Sequence, residues 1–220
     1  MSNSFWIFES ELKAIAFESS EYDNLETGGD LYGLWSAWGE PVIYLALGSG
    51  PNASKKHSEY EMDIEYMKEC ERVLQANHGI HYLGDWHSHH NLMLHKPSLG
   101  DQRRIQSLLR KNSINNMAEI IVTHILPEKG KRERINAFTY KGSKMNHSKI
   151  RLLESKISPI RESIMLNQKK YLKLNMINGK IPLNNIQINF HDKNGSSNYP
   201  SMVQSHETKL NSTPIKITKL

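Results

Sequence analysis

The run Gly84-Asp85-Trp86-His87-Ser88-His89, followed after eight residues by Ser98-Leu99-Gly100-Asp101, constrains this chain more than any other stretch. An extended strand sends alternate side chains to opposite faces, so His87 and His89 share one face and Trp86 takes the other. Two imidazoles placed this way can grip one ion. Asp101 offers a third, oxygen ligand, which leaves the fourth position of a tetrahedron to water. Upstream, Glu26-Thr27-Gly28-Gly29 runs into Leu31-Tyr32-Gly33 and offers a carboxylate not spent as a ligand. Metal, water, a free carboxylate and a hydroxyl donor are the parts of metal-assisted peptide or amide hydrolysis.

The neighbouring segments frame this motif. A short aromatic strand over residues 5–9 leads into a helix capped by Ser10, with Leu12, Ile15 and Ala16 on one face. Residues 31–35 and 42–47 read as a hairpin about a Gly39-Glu40-Pro41 turn. Residues 58–77 read as a helix stopped at Gly79, which fits a left-handed position after the last turn. Residues 80–89 form the histidine-bearing strand, and Ser98 opens a second helix to Lys111, with Ile105, Leu108 and Leu109 facing inward. Residues 118–125 and 135–140 are two more strands. From His147 to about Leu174 the apolar spacing predicts helix again, interrupted at Pro159. Residues 181–190 alternate weakly, and 191–213 are rich in Asn, Ser, Lys and Pro, the composition of a flexible tail. Residues 214–218 read as an edge strand or docking segment.

Charge divides the chain at a similar place. Residues 141–220 carry 14 Lys and Arg against 4 Asp and Glu, a net of +10, whereas residues 1–140 carry 14 against 19, a net of −5. That split points to a catalytic domain over 1–145, an extension of helix and strand over 146–190, and a tail over 191–220. The single cysteine, Cys70, lies in a helix and reads as a small buried hydrophobe, and it permits no intramolecular disulfide. No secretory leader and no run of membrane-spanning length is evident, so the expectation is a cytoplasmic protein with no membrane partner. No basic patch interleaved with aromatics suggests nucleic acid.

Glu26 in an E-T-G-G-x-L-x-G setting, followed by H-S-H, eight residues and S-x-x-D, resembles the JAMM (MPN-plus, JAB) metalloprotease family, most closely its prokaryotic branch. The likeness covers roughly the first 140 residues. It implies an α/β fold, a mixed-sheet sandwich flanked by helices (the cytidine-deaminase-like MPN fold), here with a basic C-terminal extension. It further implies a zinc ion (Zn2+) held by His87, His89 and Asp101, and Glu26 as the base that moves protons. Ser98 is the matching donor to the oxyanion. The activity implied is isopeptidase or peptidase action on ubiquitin or a ubiquitin-like modifier or its conjugate, with E1-like or E2-like proteins as further partners. One departure from the pattern is His90, where the family has proline; His90 and His95 thereby stand as competing ligands. Ser-x-x-Asp is also the pattern of a helix capping box, and the two roles are compatible. Trp35 and Trp38, near the hairpin, are either core residues or a grip for an extended peptide tail. Other readings are a non-catalytic MPN-type interaction module, cleavage of a sulfur-carrier-protein adduct, and a nucleic-acid binder acting through the basic tail.

Overall fold

The computed structural model describes residues 3–22, 24–89, 94–125, 132–179 and 181–188. The expectations for residues 191–213 and 214–218 lie outside them, as does His90.

The chain begins with β1 (Ser4–Ile7) and α1 (Glu9–Glu21). It then forms β2 (Gly28–Trp35), β3 (Pro41–Ala46), the short β4 (Ser54–Lys55) and β5 (Tyr60–Glu61), and α2 (Ile64–His78). β6 (His81–Ser88), α3 (Leu99–Lys111), β7 (Asn116–Ile125), β8 (Arg132–Lys141) and β9 (Lys144–Leu152) come next. α4 (Pro159–Leu166), two 3-10 turns and β10 (Ile186–Ile188) end the described chain. Gly79 has φ of +66° after α2, as the sequence predicts.

The sheet runs β10-β8-β7-β6-β2-β3-β1-β9, and β9 pairs again with β8. Seven strands therefore close into a mixed barrel, and the expected helix-flanked sandwich of the MPN type is not what the chain forms. The element that overturns it is β9. One edge of β9 runs parallel to β1, from Ser4 opposite Lys149 to Ile7 opposite Leu152. Its other edge is antiparallel to β8, from Ala137 opposite Ser148 to Lys141 opposite Lys144. A two-residue loop with Gly142 at φ +56° turns β8 into β9.

The helix expected from His147 to Leu174 is accordingly corrected. Ser148 and Ile150 are buried at strand period, and two open strand edges can be satisfied only by an extended segment. Pro159 does not interrupt a helix but starts one: it is the first residue of α4, capped by the Ser158 hydroxyl, which accepts from Ile160 and Arg161 N–H. The boundary expected near 145 thus falls within a strand of the barrel.

α1 lies inside the ring. Its Leu12, Ala14, Ile15 and Ala16 pack with Phe5, Leu31, Ile43, Trp86, Ile120, Val122 and Ile135, residues contributed from around the barrel. Ser10, expected as its cap, sits within the first turn and accepts the Ser158 N–H at 3.0 Å. Outside, α2 covers β2 and β3 through Cys70 and Leu74, and α3 covers β7 and β8 through Ile105 and Leu109. Among the described residues no helix is long and apolar enough to cross a membrane.

Candidate metal centre

β6 is the strand on which the site is built, held between antiparallel β2 and parallel β7. Trp86 points into the barrel core and donates Nε1–H to the Leu47 carbonyl at 2.9 Å. Asp85 and His87 alternate with it and face outward, toward α3. Gly84 makes this approach possible. Its φ is +155°, and a Cβ there would lie 1.7 Å from the Ala118 carbonyl oxygen. On the other side, Ser88 N–H donates to the Thr27 carbonyl at 2.8 Å and Thr27 N–H to the Ser88 hydroxyl at 2.9 Å. Those two bonds fix Glu26 beside the end of β6.

The structure brings His87, His89 and Asp101 together: one ligand atom from each lies within 4.8 Å of the others. His87 Nε2 faces His89 Nε2 at 3.0 Å, and the two Asp101 oxygens stand 3.4 Å from His87 Nε2 and 3.4 Å from His89 Nε2. A tetrahedral cation with bonds of about 2.1 Å holds its donors about 3.4 Å apart, so this spacing suits one. His89 Nδ1 lies 3.0 Å from the Leu94 carbonyl oxygen. A carbonyl only accepts, so Nδ1 carries the hydrogen and Nε2 keeps its lone pair for an ion.

Behind His87 is a buried polar layer that sequence reasoning missed. His87 Nδ1 stands 3.9 Å from Asp85 Oδ1 and 3.9 Å from Glu119 Oε1. Arg104, on α3, grips Asp85 through both terminal nitrogens at 2.5 and 3.2 Å and lies 3.7 Å from Glu119. Tyr140 donates to Glu119 at 2.6 Å. Asp85, His87 and Glu119 could in principle hold an ion themselves. The guanidinium already occupies that position and would repel a second cation, so the group supports the His87 ring. Asp85 precedes His87 by two residues on a strand face, and Arg104 comes three after Asp101 on a helix. That shared-face spacing is the signal a reader of the sequence had available. Glu119 gave none.

The electrostatics favour a cation. Burial raises the Asp101 pKa, but bonds to His87 and His89 hold it well below the usual carboxylate range. Burial opposes a charge on His87, yet the nearby carboxylates of Asp101, Asp85 and Glu119 push its pKa up to about 10. Burial raises Glu119 to about 7 against the pull of His87 and Arg104. The Asp85 carboxyl is held low, chiefly because Arg104 outweighs the cost of burial. Four carboxylates, those of Glu26, Asp85, Asp101 and Glu119, surround a region whose cations are one guanidinium and the protonated His87 ring, and a divalent ion taking the place of that one proton offsets more of the surplus.

Glu26 is buried, and its carboxylate makes no hydrogen bond or ion pair among the described residues. Burial raises its pKa, His89 and His87 lower it, and Asp101 raises it, so it shares the field of the three ligands without joining them. Ser98 caps α3: its hydroxyl accepts Asp101 N–H at 3.1 Å, and Asp101 Oδ2 accepts Ser98 N–H at 2.7 Å. The capping box thereby aims Asp101, while the Ser98 O–H hydrogen stays available to a further acceptor. His95 turns to Thr123 and Arg134 rather than joining the three ligands. Trp35 packs against the barrel core and Trp38 is 82% exposed. Both stand toward the far end of β2, about 20 Å or more from Gly28 at a strand's rise of roughly 3.3 Å per residue.

Two histidines and an aspartate converge on one point, with an unpaired buried carboxylate beside them, and this donor set suits a metal ion. Over 112 residues the chain is 31% identical to the probable metalloprotease y4qB of Sinorhizobium fredii, a match covering 50% of this chain and 68% of that protein. The chain belongs to that metalloprotease family. No family model matches it. Among solved structures, the solution structure of protein DSY2949 from Desulfitobacterium hafniense shares the fold, with a TM-score of 0.51 at 15% identity over 69% of this chain and 94% of that one.

Proposed function

We propose that this protein is a zinc-dependent peptidase of the JAMM type, acting on an isopeptide or peptide bond of a ubiquitin-like modifier. The observation that carries the reading is the convergence of His87 Nε2, His89 Nε2 and Asp101 beside the unpaired carboxylate of Glu26. Two imidazoles and a carboxylate suit zinc better than magnesium or calcium, which prefer all-oxygen sites. The order Glu26, His87-Ser88-His89, Ser98, Asp101 supports the isopeptidase class, and through it a ubiquitin-like partner and a cytoplasmic setting.

In this mechanism His87, His89 and Asp101 hold the metal, which when bound supplies a Lewis acid that polarises a carbonyl and makes water a better nucleophile. Glu26 takes the proton released as water attacks and passes it to the leaving amine; burial raises its pKa, which makes it a stronger base for the first step. Ser98 donates its free hydrogen to the oxygen of the scissile carbonyl as negative charge develops there. Asp85 and Glu119 hold the His87 ring, and the Leu94 carbonyl holds the His89 ring.

The test pairs elemental analysis with cleavage of a fluorogenic isopeptide conjugate. The wild type should carry about one zinc per chain. Glu26→Gln should keep that zinc and lose about 100- to 10,000-fold in kcat. Loss of zinc in that variant would make Glu26 a ligand, and retained turnover would remove it as the base. A metal-loaded protein that binds a modifier but cleaves nothing would instead be an interaction module.

A further inference from the structure

On the outward face of β7 and β8, next to the metal ligands, lies a second polar set that hydrolysis itself does not use. Ile121 stands opposite both His87 on β6 and Asn136 on β8, so these three form one row across the sheet. Thr123 and Arg134 form the next row, on the side toward His89, whose N–H donates to the Val122 carbonyl at 2.8 Å. With strands about 4.8 Å apart, Arg134 is rooted about 10 Å from the line of β6. That is a distance its own side chain and one residue of extended substrate can span.

Arg134 donates Nη1–H to His95 Nε2 at 2.8 Å, and His95 Nδ1 lies 3.4 Å from the Thr123 hydroxyl. An acceptor at Nε2 makes His95 neutral, so the pair carries the single positive charge of the guanidinium. Among the described residues Arg134, half-buried, pairs with no carboxylate, and its buried Nε lacks a hydrogen-bond partner. Asn136, beside it on the strand face and fully buried, has neither amide atom satisfied by them. Half-buried cations and buried amides ordinarily find partners, because leaving them unpaired costs free energy. Here two such unmet demands, at Arg134 and Asn136, lie side by side on one face of β8, next to the converging histidines.

Building on the peptidase reading, we propose that Arg134, positioned by His95, is the recognition group of a subsite for a carboxylate on the residue flanking the scissile bond. The carboxylate belongs either to an acidic side chain or to a free chain terminus. A guanidinium suits it because its planar fork meets two carboxylate oxygens at once.

Two pairs of short peptides test this with the zinc-loaded full chain: Glu against Gln at the flanking residue, and a free C-terminus against its amide. In the wild type the carboxylate member of one pair should be favoured about 10- to 100-fold in kcat/KM, mainly through KM, the range expected for a charged hydrogen bond. Whichever pair responds identifies the source. Within Arg134→Gln that ratio should fall to about one, and within Arg134→Lys it should be intermediate, with melting curves showing both variants folded. A wild-type ratio near one for both pairs, or a ratio that survives in Arg134→Gln, overturns the subsite. Should the loaded protein cleave no peptide, the peptidase reading fails by itself. Calorimetry with N-acetylglutamate α-amide then decides the subsite: binding lost in Arg134→Gln upholds it, and equal binding by both proteins overturns it.

Discussion

His87 and His89 reach the same ion site by different routes. The Leu94 carbonyl sets the tautomer of His89, whereas two carboxylates hold Nδ1 of His87. In the metal-free protein those carboxylates, with Asp101, keep His87 protonated up to about pH 10, against the opposing effect of burial. A metal must displace that proton. Metal uptake at neutral pH should therefore release close to one proton per site, and apparent affinity should rise with pH until it levels near pH 10. Titration calorimetry in buffers of differing ionisation enthalpy measures the release; uptake without it would contradict the coupling. The sign for stability is opposite. A raised imidazole pKa stabilises the metal-free fold below the ordinary imidazole range, and that contribution disappears as pH climbs through about 10. Replacing both His87 and His89 by Ala should abolish stoichiometric metal, and undiminished metal in that double variant would refute the ligand assignment.

At the scale of elements, the site depends on how β6 and α3 are each held. β6 is pinned between β2 and β7, with Gly84 allowing the Ala118 carbonyl to come close. α3 is pinned by the Ser98–Asp101 box at its first turn and by the Arg104–Asp85 pair one turn on. A comparable link ties the interior helix to the C-terminal one. Arg161 of α4 donates to both Glu11 oxygens of α1 at 2.8 Å and to the Ile177 carbonyl at 2.8 Å, while Glu11 also accepts Ala46 N–H at 2.8 Å. Both side chains are buried. Arg161→Ala would leave the Glu11 charge buried and unpaired, a loss of about 3–5 kcal/mol in urea unfolding. Arg161→Met combined with Glu11→Leu should cost much less than the sum of the single changes, since both charges then disappear together. Additive losses would show that the pair is not coupled.

For the whole molecule, closure of the barrel draws the basic C-terminal part, as far as β9, into the sheet. The charge split suggests that a chain ending near Gly142 could stand alone. The strand pairing suggests otherwise, because such a chain lacks the strand that joins β1 to β8 and also lacks Arg161. Truncation after Gly142 should give aggregation-prone protein without bound metal, since two strand edges and the interior helix lose their cover. Soluble, metal-bound protein of that length would show that β9 is dispensable. Truncation after Asn185 is the milder control: of the described elements it removes β10 alone, which pairs with the barrel at the β8 edge.

Much of the site could be read from the chain because its chemistry is local. Strand alternation puts His87 opposite in sense to Trp86, a capping box places Asp101 one turn into α3, and the glycines after Glu26 mark the entry to β2. The helices over α1, α2 and α3 and the strands β2, β3, β7 and β8 arise from periods and turn residues in the same way. The barrel was not readable, nor was the Asp85–Arg104–Glu119–Tyr140 layer. Residues 144–152 satisfy helical and extended spacing alike, and their conformation is chosen by β1 and β8, edges about 140 residues and two residues away in sequence. Glu119 meets His87 only because β6 and β7 run side by side, and Arg134 meets His95 only because the sheet brings β8 beside β7 and its Thr123. Local sequence set the converging side chains and the elements that carry them; pairing across the closed sheet decided which charges surround them.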